Sequence, residues 1–289
     1  MRKLPIHAVV GLVIMLVSEA GMLARIEPFS SWHTPICWTG YILFADGLVL
    51  MLRGSSWISA APAEFAFLAV VSVPLWLAFE FFNLFIGNWH YINLPENLAW
   101  RTLGYAWSFA TIWPGIFETA DLVGALRAGR SALPPRAAPV RSRPDPAVTR
   151  VSGVGALSMA VGAAMLAWPL ARPSPYLAAP VWLGFILLLD PLNARLGAEA
   201  LTRDWREGRA DRAVNLMLAG LVCGLLWELW NYWARTKWIY SVPILGRFKV
   251  FEMPVAGYLG FPAFALECFT MYAIVRRAVW RRPPRPIAL

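Results

Sequence analysis

Eight acidic residues interrupt stretches of sequence that are otherwise apolar: Glu19, Asp46, Glu80, Glu118, Asp121, Asp190, Glu228 and Glu267. A carboxylic acid kept neutral by its surroundings can act as a general acid or as one stage of a proton relay. Six of the eight fall into two triads, Asp46–Glu80–Glu118 and Asp190–Glu228–Glu267. In each triad the middle glutamate is followed three residues later by asparagine, Asn83 or Asn231. That spacing puts both side chains on one face of a helix. The ExxN pair has two readings. It is either a hydrogen-bond clamp between helices, of the kind membrane bundles use, or part of a catalytic or transport site. For Asp46 and Asp190 the clamp is favoured, because Gly47 and Pro191 follow them and free backbone groups that an aspartate can satisfy. Glu19 and Asp121 have no counterpart in the other triad and read as residues near helix ends.

The elements that hold these acids are set by composition. Of 289 residues 58% are hydrophobic and only 15% charged, against about 25% charged in soluble domains. A lipid solvent accommodates that excess. Windows of roughly 20 residues, the length needed to cross a bilayer, give eight predicted spans, at about 5–24, 36–53, 63–87, 102–126, 151–171, 177–195, 212–235 and 256–278. Most of the 26 Lys and Arg lie on one set of span ends, which the positive-inside rule places in the cytoplasm together with both termini. Residues 127–150, rich in Pro and Arg, read as a cytoplasmic linker. Within residues 196–211, the Glu199/Arg203 spacing predicts a short surface helix. Ala156, Ala160 and Ala164 form a small-residue stripe suited to close helix packing.

The halves align with each other. Trp38–Asp46 matches Trp182–Asp190, and Glu80-Phe-Phe-Asn83 matches Glu228-Leu-Trp-Asn231. Trp89-His-Tyr91 matches Trp238-Ile-Tyr240, and Gly104-Tyr105 with Glu118 matches Gly257-Tyr258 with Glu267. The expected fold is therefore an all-α integral membrane protein of eight transmembrane helices. Two parallel four-helix repeats, 1–126 and 151–289, would be related by an axis along the membrane normal. The Trp-x-Tyr pairs, just outside their spans, read first as interfacial anchors. Arg235, Lys237, Arg247 and Lys249 depart from the charge rule and suit either a phosphate-bearing headgroup or a plain surface patch.

Several classes are disfavoured. The net charge of +9 sits in connections between apolar runs, which argues for anionic lipid rather than nucleic acid. Cys37, Cys223 and Cys268 make no CxxC pattern, and His7, His33 and His90 make no HxxxH pattern, so no metal site or disulfide framework is indicated. No GxGxxG or GxxxxGK[ST] motif occurs, and no cofactor is expected.

Trp227-Glu228-Leu-Trp230-Asn231, Trp238-Ile-Tyr240, Pro254, Gly257, Pro262 and Glu267 together resemble the transmembrane lycopene cyclase domain of the two-domain or heterodimeric type. The resemblance extends more faintly over Glu80 to Glu118. This chain lacks that family's Glu-Glu pair at the start of the last helix and adds a fourth span to each unit. The resemblance implies a carotenoid-type, isoprenoid substrate cyclised without net redox change. Glu80, Glu118, Glu228 and Glu267 would be the acids, with Trp227, Trp230, Trp238, Tyr240 and Phe261 along the substrate. The aromatic residues suit a carbocation through cation–π attraction. Two other classes stay open, a proton-coupled transporter or lipid-handling protein and a structural subunit of a membrane complex, with homo-oligomers possible in each. The expected location is the bacterial inner or plasma membrane. The charge distribution predicts that a C-terminal alkaline phosphatase fusion is inactive and a C-terminal fluorescent-protein fusion bright; the opposite pair of signals overturns the orientation.

Overall fold

The computed structural model describes residues 3–128, 153–280, 283 and 285–289; almost all of the expected linker 127–150 lies outside them. Helices dominate. Seven are long and apolar enough to cross a membrane, which makes this a multi-pass membrane protein of the all-α class. They are α1 (Ile6–Leu23), α2 (Phe29–Arg53), α4 (Pro62–Ile86), α7 (Gly153–Ala171), α8 (Ala178–Leu196), α10 (Asp211–Trp233) and α11 (Gly260–Val279), the last extended by a 3-10 turn at Val255–Leu259. Short helices α3 (Trp57–Ala60) and α9 (Leu201–Arg206) follow α2 and α8.

The predicted span 102–126 is not one helix. It is divided into α5 (Leu98–Ala110) and α6 (Ile112–Ala128), with Thr111 between them. The break is repaired from α4: the Ser72 hydroxyl donates to the Phe109 carbonyl and accepts from the Trp113 N–H. One side chain thus satisfies two backbone groups that the break would leave bare in an apolar interior. Helix α6 is buried along most of its length and packs against α2, α4 and α10. Helix α2 begins before the predicted start at 36, because Pro35 lies inside it and the irregular turn is at Trp32.

Two helix pairs cross closely, α1 with α2 and α7 with α8. Each crossing is made at paired glycines. A Cβ on Gly11 would sit 2.3 Å from the Gly40 carbonyl oxygen, and one on Gly162 would sit 2.7 Å from that of Gly184. The predicted stripe of Ala156, Ala160 and Ala164 is exposed, not packed. The face of α7 that meets α8 carries Ser158, Gly162 and Leu166, with Ser158 Oγ donating to the Leu187 carbonyl.

The two aspartates do something other than repair their own helices. Asp46 accepts from Ser56 Oγ (2.8 Å) and the Ile58 N–H (2.9 Å). Asp190 accepts from the N–H groups of Leu201 (2.6 Å) and Thr202 (2.9 Å). Each long helix therefore caps the short helix that follows it, α3 or α9, where first-turn N–H groups lack partners. The expected Glu199–Arg203 pairing is not made. Glu199 instead meets Arg212 (3.0 Å) and Arg276, and Arg203 donates to the Ala194 carbonyl. Around Glu199 lies an ionic layer at the ends of α2, α6, α8, α10 and α11. Arg276 clasps Glu64, Arg212 meets Asp204 (3.1 Å), and Asp121 meets Arg285 and Arg53. Buried charges persist only when paired in this way.

The opposite end carries extended backbone. Strands β1 (Trp89–Ile92) and β2 (Lys237–Tyr240) form an antiparallel pair in the register Trp89↔Tyr240 and Tyr91↔Trp238. The pairing is self-complementary: exchanging the two Trp-x-Tyr segments reproduces it. A second small pair, β3 (Lys249–Val250) with β4 (Met253–Pro254), lies beside α11. Because α7 meets α8 at Gly162, Gly162→Val is expected to cost about 1–3 kcal/mol through overpacking, while Ala160→Val stays within about 0.5 kcal/mol of the parent. Thermal unfolding in detergent reads the difference, and equal midpoints for the two variants contradict the crossing.

Candidate functional site

The strand pair roofs a cavity of about 140 Å³ between the two halves. Its wall is aromatic. Trp38, Trp76, Trp89, Tyr91, Trp182, Trp227, Trp238, Tyr240, Phe261 and Phe264 all line it, with Arg101 and Lys237 as its cationic members. Lys237 is held by Glu252 (2.5 Å). Small residues make room for the large ones: a Cβ on Gly224 would overlap the Phe261 ring, and one on Gly104 the Trp32 ring.

Both ExxN pairs stand behind residues that line this cavity. The asparagines are clamps. Asn83 donates to the Trp89 carbonyl (2.8 Å) and accepts from the Asn88 and Trp89 N–H groups. Asn231 donates to the Trp238 carbonyl (2.8 Å) and accepts from its N–H (3.0 Å). Each asparagine thus fixes the first tryptophan of its Trp-x-Tyr segment through the backbone, one turn along the helix from its glutamate. The glutamates meet the side chains that follow. Glu80 Oε1 accepts from Tyr91 OH (2.5 Å), Trp76 Nε1 (2.9 Å) and Trp89 Nε1 (3.2 Å). Glu228 Oε1 accepts from Tyr240 OH (2.8 Å), whose oxygen accepts from Trp238 Nε1 (2.8 Å). The other oxygen, Glu228 Oε2, is buried and has no hydrogen-bond partner among the described residues.

The interfacial-anchor reading of the Trp-x-Tyr pairs is therefore incorrect. They join the halves, wall the cavity and cover the two glutamates. Glu80 and Glu228 do not line the cavity themselves; the phenols of Tyr91 and Tyr240 stand between them and it. Trp227, Trp238, Tyr240 and Phe261 are on the wall as expected. Trp230 is not; it packs behind Trp38 at 5.2 Å and beside Tyr41 at 6.1 Å.

Glu118 and Glu267 are fully buried and off the cavity wall. Neither oxygen of Glu267 has a hydrogen-bond partner among the described residues. Glu118 has Asp46, Asp121 and Arg285 as electrostatic partners. The structure thus divides the four expected acids into an outer pair served by tyrosines and an inner pair away from the cavity. Asp46 and Asp190 belong to neither, being caps. Sequence reading also passed over Ser72, which repairs the α5–α6 break, and the tyrosines of the first repeat. Tyr91 was legible as the counterpart of Tyr240.

The class of protein defined so far is a helical membrane protein with a roofed aromatic cavity flanked by two Glu–Tyr dyads. No family model matches the chain, and neither a curated protein nor a solved structure does.

Burial first, and then the Glu80 carboxylate, push the Tyr91 phenol well above its ordinary value; burial and Glu228 do the same to Tyr240. The folded chain keeps these two protons at a pH where the unfolded chain releases them, near the ordinary phenol value of about 10. Their contribution to stability is thus complete at neutral pH and declines as pH rises past about 10. A Tyr91→Phe/Tyr240→Phe variant is expected to lose part of that alkaline decline. Unfolding midpoints measured from about pH 8 to about pH 11 test this, and an unchanged slope in the variant contradicts it.

Proposed function

We propose that the protein acts on an isoprenoid-type membrane lipid held in the aromatic cavity, by acid-catalysed cyclisation or rearrangement. The observation that carries the reading is the pair of Glu–Tyr dyads presented to one aromatic cavity from the two halves. An apolar chain gains by leaving lipid only where it finds shape and specific chemistry. Here it finds π faces, two phenols and carboxyl groups one hydrogen bond behind them. A proton passed from Glu228 through the Tyr240 hydroxyl to an alkene carbon makes a carbocation. The faces of Trp38, Trp182 and Trp227 stabilise it by cation–π attraction. Loss of a proton from a neighbouring carbon to a dyad restores a double bond and leaves no net redox change.

In this reading the chain crosses the membrane eight times, the α5–α6 segment making the fourth crossing. Both termini are cytoplasmic, and the halves are parallel repeats. The ionic layer then lies at the cytoplasmic end and the cavity at the outer end. The resemblance to the transmembrane lycopene cyclase domain agrees with the placement of Trp227, Glu228, Trp238 and Tyr240 around one cavity. Glu118 and Glu267 do not touch substrate in this scheme. They support a second reading, proton movement through the bundle, because they are buried carboxyls off the cavity wall and intramembrane acids commonly serve as relays.

Mass spectrometry of lipid co-purified in mild detergent, followed by incubation with a linear polyisoprenoid, tests the first reading. Glu228→Gln is expected to keep the bound lipid and to lower product formation by about 10²–10⁴-fold, the usual worth of a positioned general acid. Product at the parent level from both Glu228→Gln and Glu80→Gln overturns it. Proton flux in vesicles lost specifically in Glu118→Gln or Glu267→Gln favours the second reading.

A further inference from the structure

Behind the aromatic wall, in the first half, three side chains with metal-binding atoms converge. His33 and Cys37 stand one turn apart on α2 and are fully buried; Glu19 reaches across from α1. One ligand atom from each lies within 4.8 Å of the other two. His33 Nε2 is 3.7 Å from Glu19 Oε2, and Cys37 Sγ is 3.8 Å from the same nitrogen and 3.6 Å from Nδ1. The other ring nitrogen, Nδ1, lies 3.0 Å from Ser18 Oγ, which leaves Nε2 as the atom turned toward the glutamate.

We infer that Glu19, His33 and Cys37 form a binding site for one divalent metal ion of the zinc type, with the fourth position left to water or another small ligand.

Five observations support the assignment. The donor set mixes carboxylate, imidazole and thiolate, which suits four-coordinate Zn²⁺ and not the all-oxygen shells of Ca²⁺ or Mg²⁺. The i, i+4 spacing of His33 and Cys37 puts both on one helix face, the arrangement by which helices chelate zinc. Bonds of about 2.0–2.3 Å give tetrahedral edges of about 3.3–3.8 Å. The thiol now rests against the imidazole edge, so turning Cys37 and drawing in Glu19 closes the shell. Glu19 has the freedom to do so, its side chain being 40% exposed. The Ser18 hydroxyl on Nδ1 is the kind of outer contact that orients a ligating histidine. Finally, the unit does not need polar groups here. Aligning the glycine crossings, Gly11 with Gly162 and Gly40 with Gly184, puts Pro169, Leu170, Leu177 and Val181 where the first half has Ser18, Glu19, His33 and Cys37. One copy of the unit is complete with an apolar set, so the polar set in the other is an addition to the fold.

The site adjoins the cavity without sharing it. Trp230 neighbours Glu19 and packs its ring against Trp38, which is on the cavity wall. The assignment does not depend on the identity of the cavity's ligand. Binding displaces the Cys37 thiol proton to solvent, and no oxidant or reductant is involved.

The test uses purified full-length protein stripped with a chelator and titrated with Zn²⁺ and with Co²⁺. Calorimetry is expected to show one Zn²⁺ per chain, and Co²⁺ to give a near-ultraviolet sulfur-to-cobalt band with the visible pattern of a tetrahedral ion. Cys37→Val and His33→Leu, the residues of the second copy, are expected to abolish both signals while keeping a monodisperse gel-filtration profile. Ser18→Ala is expected to weaken Zn²⁺ by about 10- to 100-fold. Absence of the sulfur-to-cobalt band in the parent protein overturns the site whatever the variants do, as does an unchanged band in a folded Cys37→Val.

Discussion

Eight residues of extended backbone, four from each half, close the end of this molecule opposite the ionic layer, and much of the site depends on their pairing. Backbone outside a helix is tolerated within an apolar bundle only where its polar groups are satisfied inside the protein. Here the strands satisfy each other across a register that maps onto itself when the halves are exchanged. An isologous contact of this kind places equivalent residues on opposite sides of an axis. Tyr91 and Tyr240 are thereby set on either flank of the same cavity. The aromatic roof and the flanking dyads follow from one set of hydrogen bonds.

The two residues of the ExxN pattern do different things. The asparagine clamps: it takes hold of both backbone groups of Trp89 or Trp238 and so fixes where the strand begins. The glutamate, three residues earlier on the same helix, is left to meet the tyrosine two residues beyond that tryptophan. A single helix turn thus positions the strand and the carboxyl that the strand covers. Removing either asparagine would leave strand polar groups unpaired, at about 1–3 kcal/mol each where they are buried, so the clamp cannot be removed without disturbing the glutamate's cover in either half.

Much of this was legible from residue types alone. Apolar runs of spanning length announced the helices, and the Glu-x-x-Asn and Trp-x-Tyr matches announced which residues would be equivalent. What stayed hidden was nonlocal. Periodicity over 102–126 shows an apolar stretch but not the break at Thr111, because the group that makes the break tolerable, Ser72, comes from α4. The Trp-x-Tyr segments have the composition of interfacial anchors, and only pairing with each other distinguishes them from anchors. The alanine stripe on α7 has the right spacing for packing, yet Gly162 is smaller still and gives the closest approach, so the helix turns that face to α8 instead. Asp46 and Asp190 were legible as satisfying backbone groups, but not those of their own helices: the groups they accept from belong to short helices beyond the loops that follow.

The two dyads match in sequence but are not chemically equal, and in the proposed chemistry the difference bears on which one reacts. Glu80 receives three donors on one oxygen, two of them indoles; Trp76, which supplies one, corresponds to Gly224 in the other half. An acceptor so fully engaged is held in place and is poorly set to give up a proton. Glu228 Oε1 accepts from Tyr240, and its second oxygen is buried without a hydrogen-bond partner among the described residues. In that half the indole of Trp238 turns to the phenol instead of the carboxyl, supporting the tyrosine oxygen from behind. The sequence match between the halves gives two copies of the glutamate, the asparagine and the Trp-x-Tyr segment. Where one copy is saturated with hydrogen bonds and the other is not, the saturated copy is suited to orienting a bound chain. The unsaturated copy has the free capacity that proton transfer requires.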